Sequence, residues 1–195
     1  RWLAPEAPTE APGGAAMARP TASRAVETAG SAAIAAACTT LAELRAAIAA
    51  YSDCGLSAQA TQPVFADGNL GAPLLLIGEA PGAEEDRVGR PFVGRAGQLL
   101  DRMLGAIGLD RSTAAITNVC YWRPPGNRSP STEELLHCLP FVRRFIQLMQ
   151  PRALLLLGAT PTQALTGSGA GIMRLRGQWQ QVEGVGALPT FHPAY

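Results

Sequence analysis

The apolar positions of this chain fall into short continuous runs separated by stretches of helical spacing. Leu74 to Ile77 is one such run. An unbroken apolar run of strand length reads as a strand covered on both faces of a sheet. It ends at Gly78-Glu79-Ala80-Pro81-Gly82, where Gly and Pro stop a strand and force a loop. The pattern therefore predicts a strand over 73–78. Leu99, Leu100, Met103, Leu104 and Ile107 then recur at helical spacing, predicting a helix over 96–107 that Gly105 and Gly108 bracket. A second strand is predicted over 114–119. Ser131-Thr132-Glu133-Glu134 carries the capping signal for a helix to about Met149. Pro140 falls inside that helix and calls for a kink or a later start. A third strand is predicted over 152–157, a short helix over 161–165, and further strands over 174–182 and 188–191. Upstream, Thr39-Thr40 caps a helix to about Tyr51, with Leu41, Leu44 and Ile48 on one face. Between these helices and strands, 54–71 reads as a polar connector. Strands alternating with helices predict an α/β domain, a three-layer α/β/α sandwich with a mostly parallel central sheet.

Composition sharpens the boundaries. Residues 1–35 are mostly Ala, Pro, Gly, Thr and Ser, too poor in large apolar groups to offset ordering entropy, and read as a disordered tail or linker. Residues 36–195 are the domain. Over the 195 residues, 47% are hydrophobic and 16% charged, which fits a folded core. The net charge is +1, so nucleic-acid binding gains no support from the total. All 16 basic residues are Arg, and Schiff-base chemistry normally needs a lysine amine. Cys38, Cys54, Cys120 and Cys138 are widely spaced, which fits free thiols in a reducing cytoplasm rather than a disulfide framework. No apolar run is long enough to span a membrane.

Three predicted strand ends carry polar residues: Gly78 to Gly82, Thr117-Asn118, and Phe191-His192-Pro193. Singly each is weak. Loop acids are usually solvated, an Asn after a strand is usually a turn residue, and a His before Pro is more often packed than catalytic. Together at the carboxyl side of one sheet they mark the place where open α/β sheets bind ligands. Gly167-Ser-Gly-Ala-Gly171 does not fit a dinucleotide-binding loop, and no G-x-S-x-G, P-loop or zinc-ligand spacing is present.

Gly78-Glu-Ala-Pro-Gly82, Glu85-Asp86, Gly89-Arg-Pro-Phe-Val-Gly94, Thr117-Asn118, Arg123-Pro-Pro-Gly-Asn-Arg128 and His192-Pro193 resemble, in order, the motifs of the family 4 uracil-DNA glycosylases. The resemblance runs from about Cys54 to Tyr195. It implies a base-excision repair enzyme that flips uridine into a pocket and hydrolyses its N-glycosidic bond. Phe92 would stack on the base. Asn118 would read its edge, with Ala80 and Gly82 holding base or water through their backbone. His192 would donate to uracil O2, where charge grows as the bond breaks. In a better-known related pattern an Asp stands where this chain has Ala80. That leaves the water-activating group open between Glu79 and Glu85, with Asp86 behind them. Arg87, Arg90, Arg123 and Arg128 would grip DNA phosphates, with Arg95 also beside the first motif. With no Lys, the resemblance implies monofunctional hydrolysis by a monomer acting on uracil-containing DNA.

Many members of that family hold a [4Fe–4S] cluster on four cysteines. The corresponding positions here are Tyr51, Cys54, Trp122 and Cys138, so two of the four thiolates are missing. The expectation is no metal and no cofactor, with Tyr51 and Trp122 packing where a cluster would lie. The loop after Asn118 is short and lacks His, which argues against covalent capture of DNA. The family would continue past Tyr195 with a Leu-rich segment. The alternatives are a non-catalytic relative that binds uracil-DNA, which Ala80 leaves open, and another α/β hydrolase acting on a nucleoside.

Overall fold

A computed structural model describes residues 22–195. The first elements are helices α1 (Ala22–Ala37) and α2 (Leu41–Ala50), followed by a two-residue edge strand β1 (Asp67–Gly68) and then β2 (Leu74–Gly78). Helices α3 (Ala83–Val88) and α4 (Arg95–Ala106) lead to β3 (Ala115–Asn118). The long helix α5 (Thr132–Met149) precedes β4 (Ala153–Leu157), α6 (Ala159–Thr166), α7 (Ile172–Leu175), β5 (Gln180–Val182) and β6 (Val185–Thr190). The sheet order is β1-β3-β2-β4-β6-β5. β3, β2, β4 and β6 run parallel, and the two edge strands are antiparallel.

The apolar runs of β2 and β4 are explained by helices on both faces. Leu75, Ile77, Leu154 and Leu156 face a core built with Leu44 and Ile48 of α2 and Phe141, Val142 and Phe145 of α5. Leu74, Leu76, Leu155 and Leu157 point the other way, toward Leu100 and Leu104 of α4. This is the strand period of two with both faces apolar, the three-layer arrangement the sequence predicts. Each such side chain contributes roughly 1.5–3 kcal/mol by burial.

Five features differ from the sequence expectation. The stretch read as a tail contains most of α1, whose Ala35 is buried; just past the helix end, the Cys38 carbonyl accepts from Arg144 Nε at 2.9 Å and Nη2 at 2.7 Å. Alanine is the strongest helix former, and α5 supplies the packing surface that composition could not reveal. Residues 1–21 of that stretch lie outside the described residues. The acidic loop after Gly82 is partly the helix α3. The strand expected over 174–182 is helix α7 followed by the short β5. α5 starts at its Ser131 cap and runs through Pro140, and the Ser131–Glu134 capping box closes its first turn. The apolar face read for α4 is only half covered: Leu100 and Leu104 are buried, while Met103 and Ile107 are 46% and 70% exposed.

Candidate active site

β2, β3 and β6 end on the same edge of the sheet, and the register pairs Gly78 with Asn118. Gly78 is needed there for space. A Cβ on it would lie 2.4 Å from Asn118 Oδ1 and 2.5 Å from Phe92 Cζ. Its absence lets an amide and an aromatic ring meet over bare backbone. Asn118 is 1% exposed, yet its Oδ1 has no hydrogen-bond partner. A buried amide oxygen without a partner costs about 1–3 kcal/mol, so this atom is poised for a ligand donor.

Phe92 is held in an unusual conformation, with φ +56°. Such a backbone costs a non-glycine residue about 1–3 kcal/mol and persists only where its surroundings impose it. Gly97 at the start of α4 permits it, since a Cβ there would lie 1.7 Å from the Phe92 carbonyl oxygen. The Phe92 ring stands 5.6 Å from the His192 ring, tilted by 32°.

His192 follows β6. Its Nδ1 accepts from the Ala194 N–H at 3.1 Å. An imidazole that accepts at Nδ1 carries its proton at Nε2, so the ring offers one donor. Burial holds its pKa below the ordinary imidazole value, against the opposing pull of Glu79 and Glu85. Gly158, at φ +104°, leaves room for the His192 side chain, whose Cβ would lie 3.2 Å from a Cβ at that position.

The two acids differ. Glu85 is tied to backbone: Oε1 accepts from Val93 N at 3.0 Å and Gly94 N at 2.8 Å, and Oε2 accepts from Gly82 N at 3.1 Å. It staples the two halves of the loop. Glu79 Oε2 accepts from Thr160 Oγ1 at 2.5 Å, while its Oε1 makes no hydrogen bond among the described residues. Asp86 is buried and binds Thr61 N at 2.9 Å and Thr61 Oγ1 at 2.8 Å, anchoring the connector. Ala80 and Gly82 line the turn between β2 and α3 and are half-buried.

The uracil DNA glycosylase superfamily model matches residues 65–195, the stretch that contains every strand end just described. The chain belongs to the uracil-DNA glycosylase superfamily. It is 40% identical over 146 residues to the type-4 uracil-DNA glycosylase of Thermotoga maritima, covering 73% of this chain and 75% of that one. It is 36% identical over 163 residues to the type-4 uracil-DNA glycosylase of Sulfurisphaera tokodaii, covering 79% and 74%.

Within this uracil-DNA glycosylase superfamily member, the structure brings Glu79, Phe92, Asn118 and His192 near one another at the carboxyl ends of the parallel strands. The arginines are scattered and mostly paired. Arg87 bonds Glu84, Arg90 bonds Asp67, and Arg128 bonds Glu134 through both terminal nitrogens, at 2.8 and 2.6 Å. Arg123 Nε donates to the neutral Asn127 Oδ1 at 2.7 Å.

The positions at which the family resemblance expects cluster cysteines are closed by aromatics and thiols. Tyr51, Cys54, Trp122 and Cys138 are all buried. The Tyr51 hydroxyl hydrogen-bonds His137 Nδ1 at 2.7 Å, and the Tyr51 ring packs against Trp122 and Phe141 at 6.1 and 5.2 Å. The Cys138 thiol donates to Cys120 Sγ at 3.7 Å, and Cys120 donates to the Trp122 carbonyl at 3.3 Å. Cluster ligands must be thiolates. The thiols are engaged with one another: hydrogen bonds with Cys120 and Cys54, together with burial, push Cys138 far above its ordinary pKa, while the hydrogen bond with Cys138 pulls Cys54 below its own. Among the described residues no three His, Cys, Asp or Glu side chains are grouped to hold a metal ion. The residues present do not fit a four-cysteine cluster.

Sequence reasoning singled out the pocket side chains but not Thr160, Gly97 or Arg111. Thr160 is visible only as part of the Gly158-Ala159-Thr160 strand end, and the other two act over distances that periodicity does not carry.

Proposed function

We propose that this chain excises uracil from DNA by hydrolysing its N-glycosidic bond. The observation that carries the reading is the buried Asn118 Oδ1 without a partner, facing the slot that Gly78 leaves under Phe92. Uracil offers an N3–H donor beside its O4 acceptor. An Asn amide with a free oxygen matches that pair, and cytosine reverses it. Phe92 stacks on the flipped base. His192, neutral and protonated at Nε2, donates to O2 as the electron pair of the C1′–N1 bond moves onto the ring. Glu79, fixed through one oxygen by Thr160, uses the other to orient the water whose oxygen bonds C1′. One water proton passes to the carboxylate and on to the departing uracil anion. Glu85 is bound by three backbone N–H groups and in this reading shapes the loop rather than activating water. Backbone groups of Ala80 and Gly82 complete the base pocket.

In this reading the DNA grip comes from Arg123, whose partner is uncharged, and from Arg87, Arg90 and Arg128, which exchange a carboxylate for phosphate on binding. The protein works as a monomer in a reducing cytoplasm, which its free, buried cysteines support. Among the described residues no helix is long and apolar enough to cross a membrane. It needs no iron–sulfur cluster, because Tyr51, Trp122 and His137 fill that volume with their own contacts.

The test is release of uracil from a labelled oligonucleotide, with alkaline cleavage of the abasic product. Excision by the wild type and a loss of about 10³-fold in Asn118→Ala is the expected result. No excision by a wild type that still binds uracil-DNA assigns a non-catalytic binding role. Equal release from free deoxyuridine assigns a nucleoside hydrolase.

A further inference from the structure

Phe92 occupies a conformation that its own backbone disfavours, and two side chains hold it there: Glu85 binds the N–H groups of Val93 and Gly94 that follow it, and Arg111 binds the carbonyls on either side of its Cα. Arg111 lies after α4, in the turn before β3. Its guanidinium has five N–H donors in a planar fork. Nη2 donates to the Phe92 carbonyl at 2.5 Å and Nη1 to the Pro91 carbonyl at 3.1 Å. Nε donates to Asp101 Oδ1 at 2.9 Å, and Nη1 also reaches Asp67 Oδ2 at 2.5 Å. Both carboxylates sit on other elements, Asp67 on β1 and Asp101 on α4. The fork therefore has fixed anchors on one side and the two carbonyls flanking the Phe92 turn on the other. Arg90, in the same loop, bonds Asp67 as well, at 2.9 Å. Burial opposes ionisation of Asp67, but Arg90 and Arg111 hold its carboxyl below the ordinary range, so the anchor stays charged.

We propose that Arg111 is a positioning residue for catalysis: it aims the two carbonyls that set Phe92 at positive φ, and so places the ring against Gly78 and His192. The inference rests on the reading of Phe92 as the stacking platform for uracil. Arg111 touches neither base nor reacting atoms in this scheme. Its whole effect on the reaction passes through the ring.

A double-mutant cycle tests this, because a residue acting through Phe92 loses its effect when the ring is removed. Single-turnover uracil release is measured for wild type, Arg111→Lys, Phe92→Leu and the double variant, with Tm recorded for each. Lysine keeps the charge but cannot bond both carbonyls and both carboxylates. The expected result is a loss of about tenfold in kcat, with little change in KM, for Arg111→Lys in the wild-type background. In the Phe92→Leu background the further loss shrinks to within about twofold. An equal loss in both backgrounds overturns the inference and makes Arg111 a general scaffold residue. If Arg111→Lys does not fold, Asp101→Asn loosens the same fork from its far side, and the same comparison applies. A wild type that releases no uracil overturns the functional reading, and this inference with it. An active wild type with additive losses overturns only the inference.

Discussion

The segment from Asn118 to Trp122 serves two regions that obey opposite rules. Asn118 enters the pocket, where a buried amide oxygen has no partner, an aromatic sits at φ +56°, and a His is kept neutral beside two acids. Cys120 and Trp122 enter the plug beneath α5, where the Tyr51 hydroxyl meets His137, Cys138 donates to Cys120, and the rings pack tilted or edge-on. The plug spends most of its polar groups on one another, the buried Tyr121 hydroxyl being the exception. The pocket withholds some of its own. An unsatisfied amide and a strained aromatic side by side at strand ends mark a place for a ligand, whereas largely self-satisfied groups support the fold. The contrast predicts that changes in the pocket cost activity and changes in the plug cost stability.

The sharpest break of the pocket is the smallest substitution. Gly78→Ala adds one methyl, and its two nearest neighbours are Asn118 Oδ1 and the Phe92 ring. Neither can move without leaving the position the base requires. A misplacement of this size costs about 10²-fold in kcat/KM. Single-turnover excision measures it, and uracil release within threefold of wild type would show that the slot is not where the base binds.

The plug should respond the other way. Tyr51→Phe removes a hydroxyl that bonds His137 Nδ1 and leaves that buried nitrogen unpaired. The expected cost is about 1–3 kcal/mol, read as a lower denaturation midpoint, with kcat/KM within about twofold of wild type. Iron analysis of the purified wild type completes the comparison. No stoichiometric iron is expected, and excision should survive a chelator. A bound cluster, or loss of activity in Tyr51→Phe without loss of stability, would merge the two regions into one functional unit.

Much of this division was legible in the chain. Leu74 to Ile77 announced a doubly covered strand, Ser131 to Glu134 announced the start of α5, and the strand ends together with the family resemblance pointed to Glu79, Phe92, Asn118 and His192, which the fold places near one another. What escaped notice depends on contacts between distant segments. The Ala-rich stretch before Cys38 is a helix because α5 offers it a surface. Glu84 to Asp86 form the turn of α3 because Glu85 can reach Gly82, Val93 and Gly94 at once. Arg111 and Thr160 meet their partners only once the sheet assembles. Arg90 and Arg128 read as free cations in the sequence, yet the fold gives each a carboxylate.

The pH dependence of excision carries the smallest effect and separates two forces on His192. Burial favours the neutral ring, and Glu79 followed by Glu85 favours the cation; burial prevails, so the pKa lies below the ordinary imidazole value of 6.5. A lowered pKa means that protonation is postponed to more acid solution. Activity that needs the neutral ring is therefore fully present above the usual imidazole range and declines only below it. Protonation adds a proton at Nδ1, the atom that now accepts from the Ala194 N–H, so two donors face each other and the ring must turn away. An unshifted His would be only about one quarter neutral at pH 6. The expected kcat/KM at pH 6, relative to pH 8, stays above that fraction. His192→Asn, measured in parallel, should be slow at both pH values and lose this acid limb. An acid limb centred at or above 6.5 in the wild type would mean that the two carboxylates outweigh burial, and that the pocket holds its His as a cation.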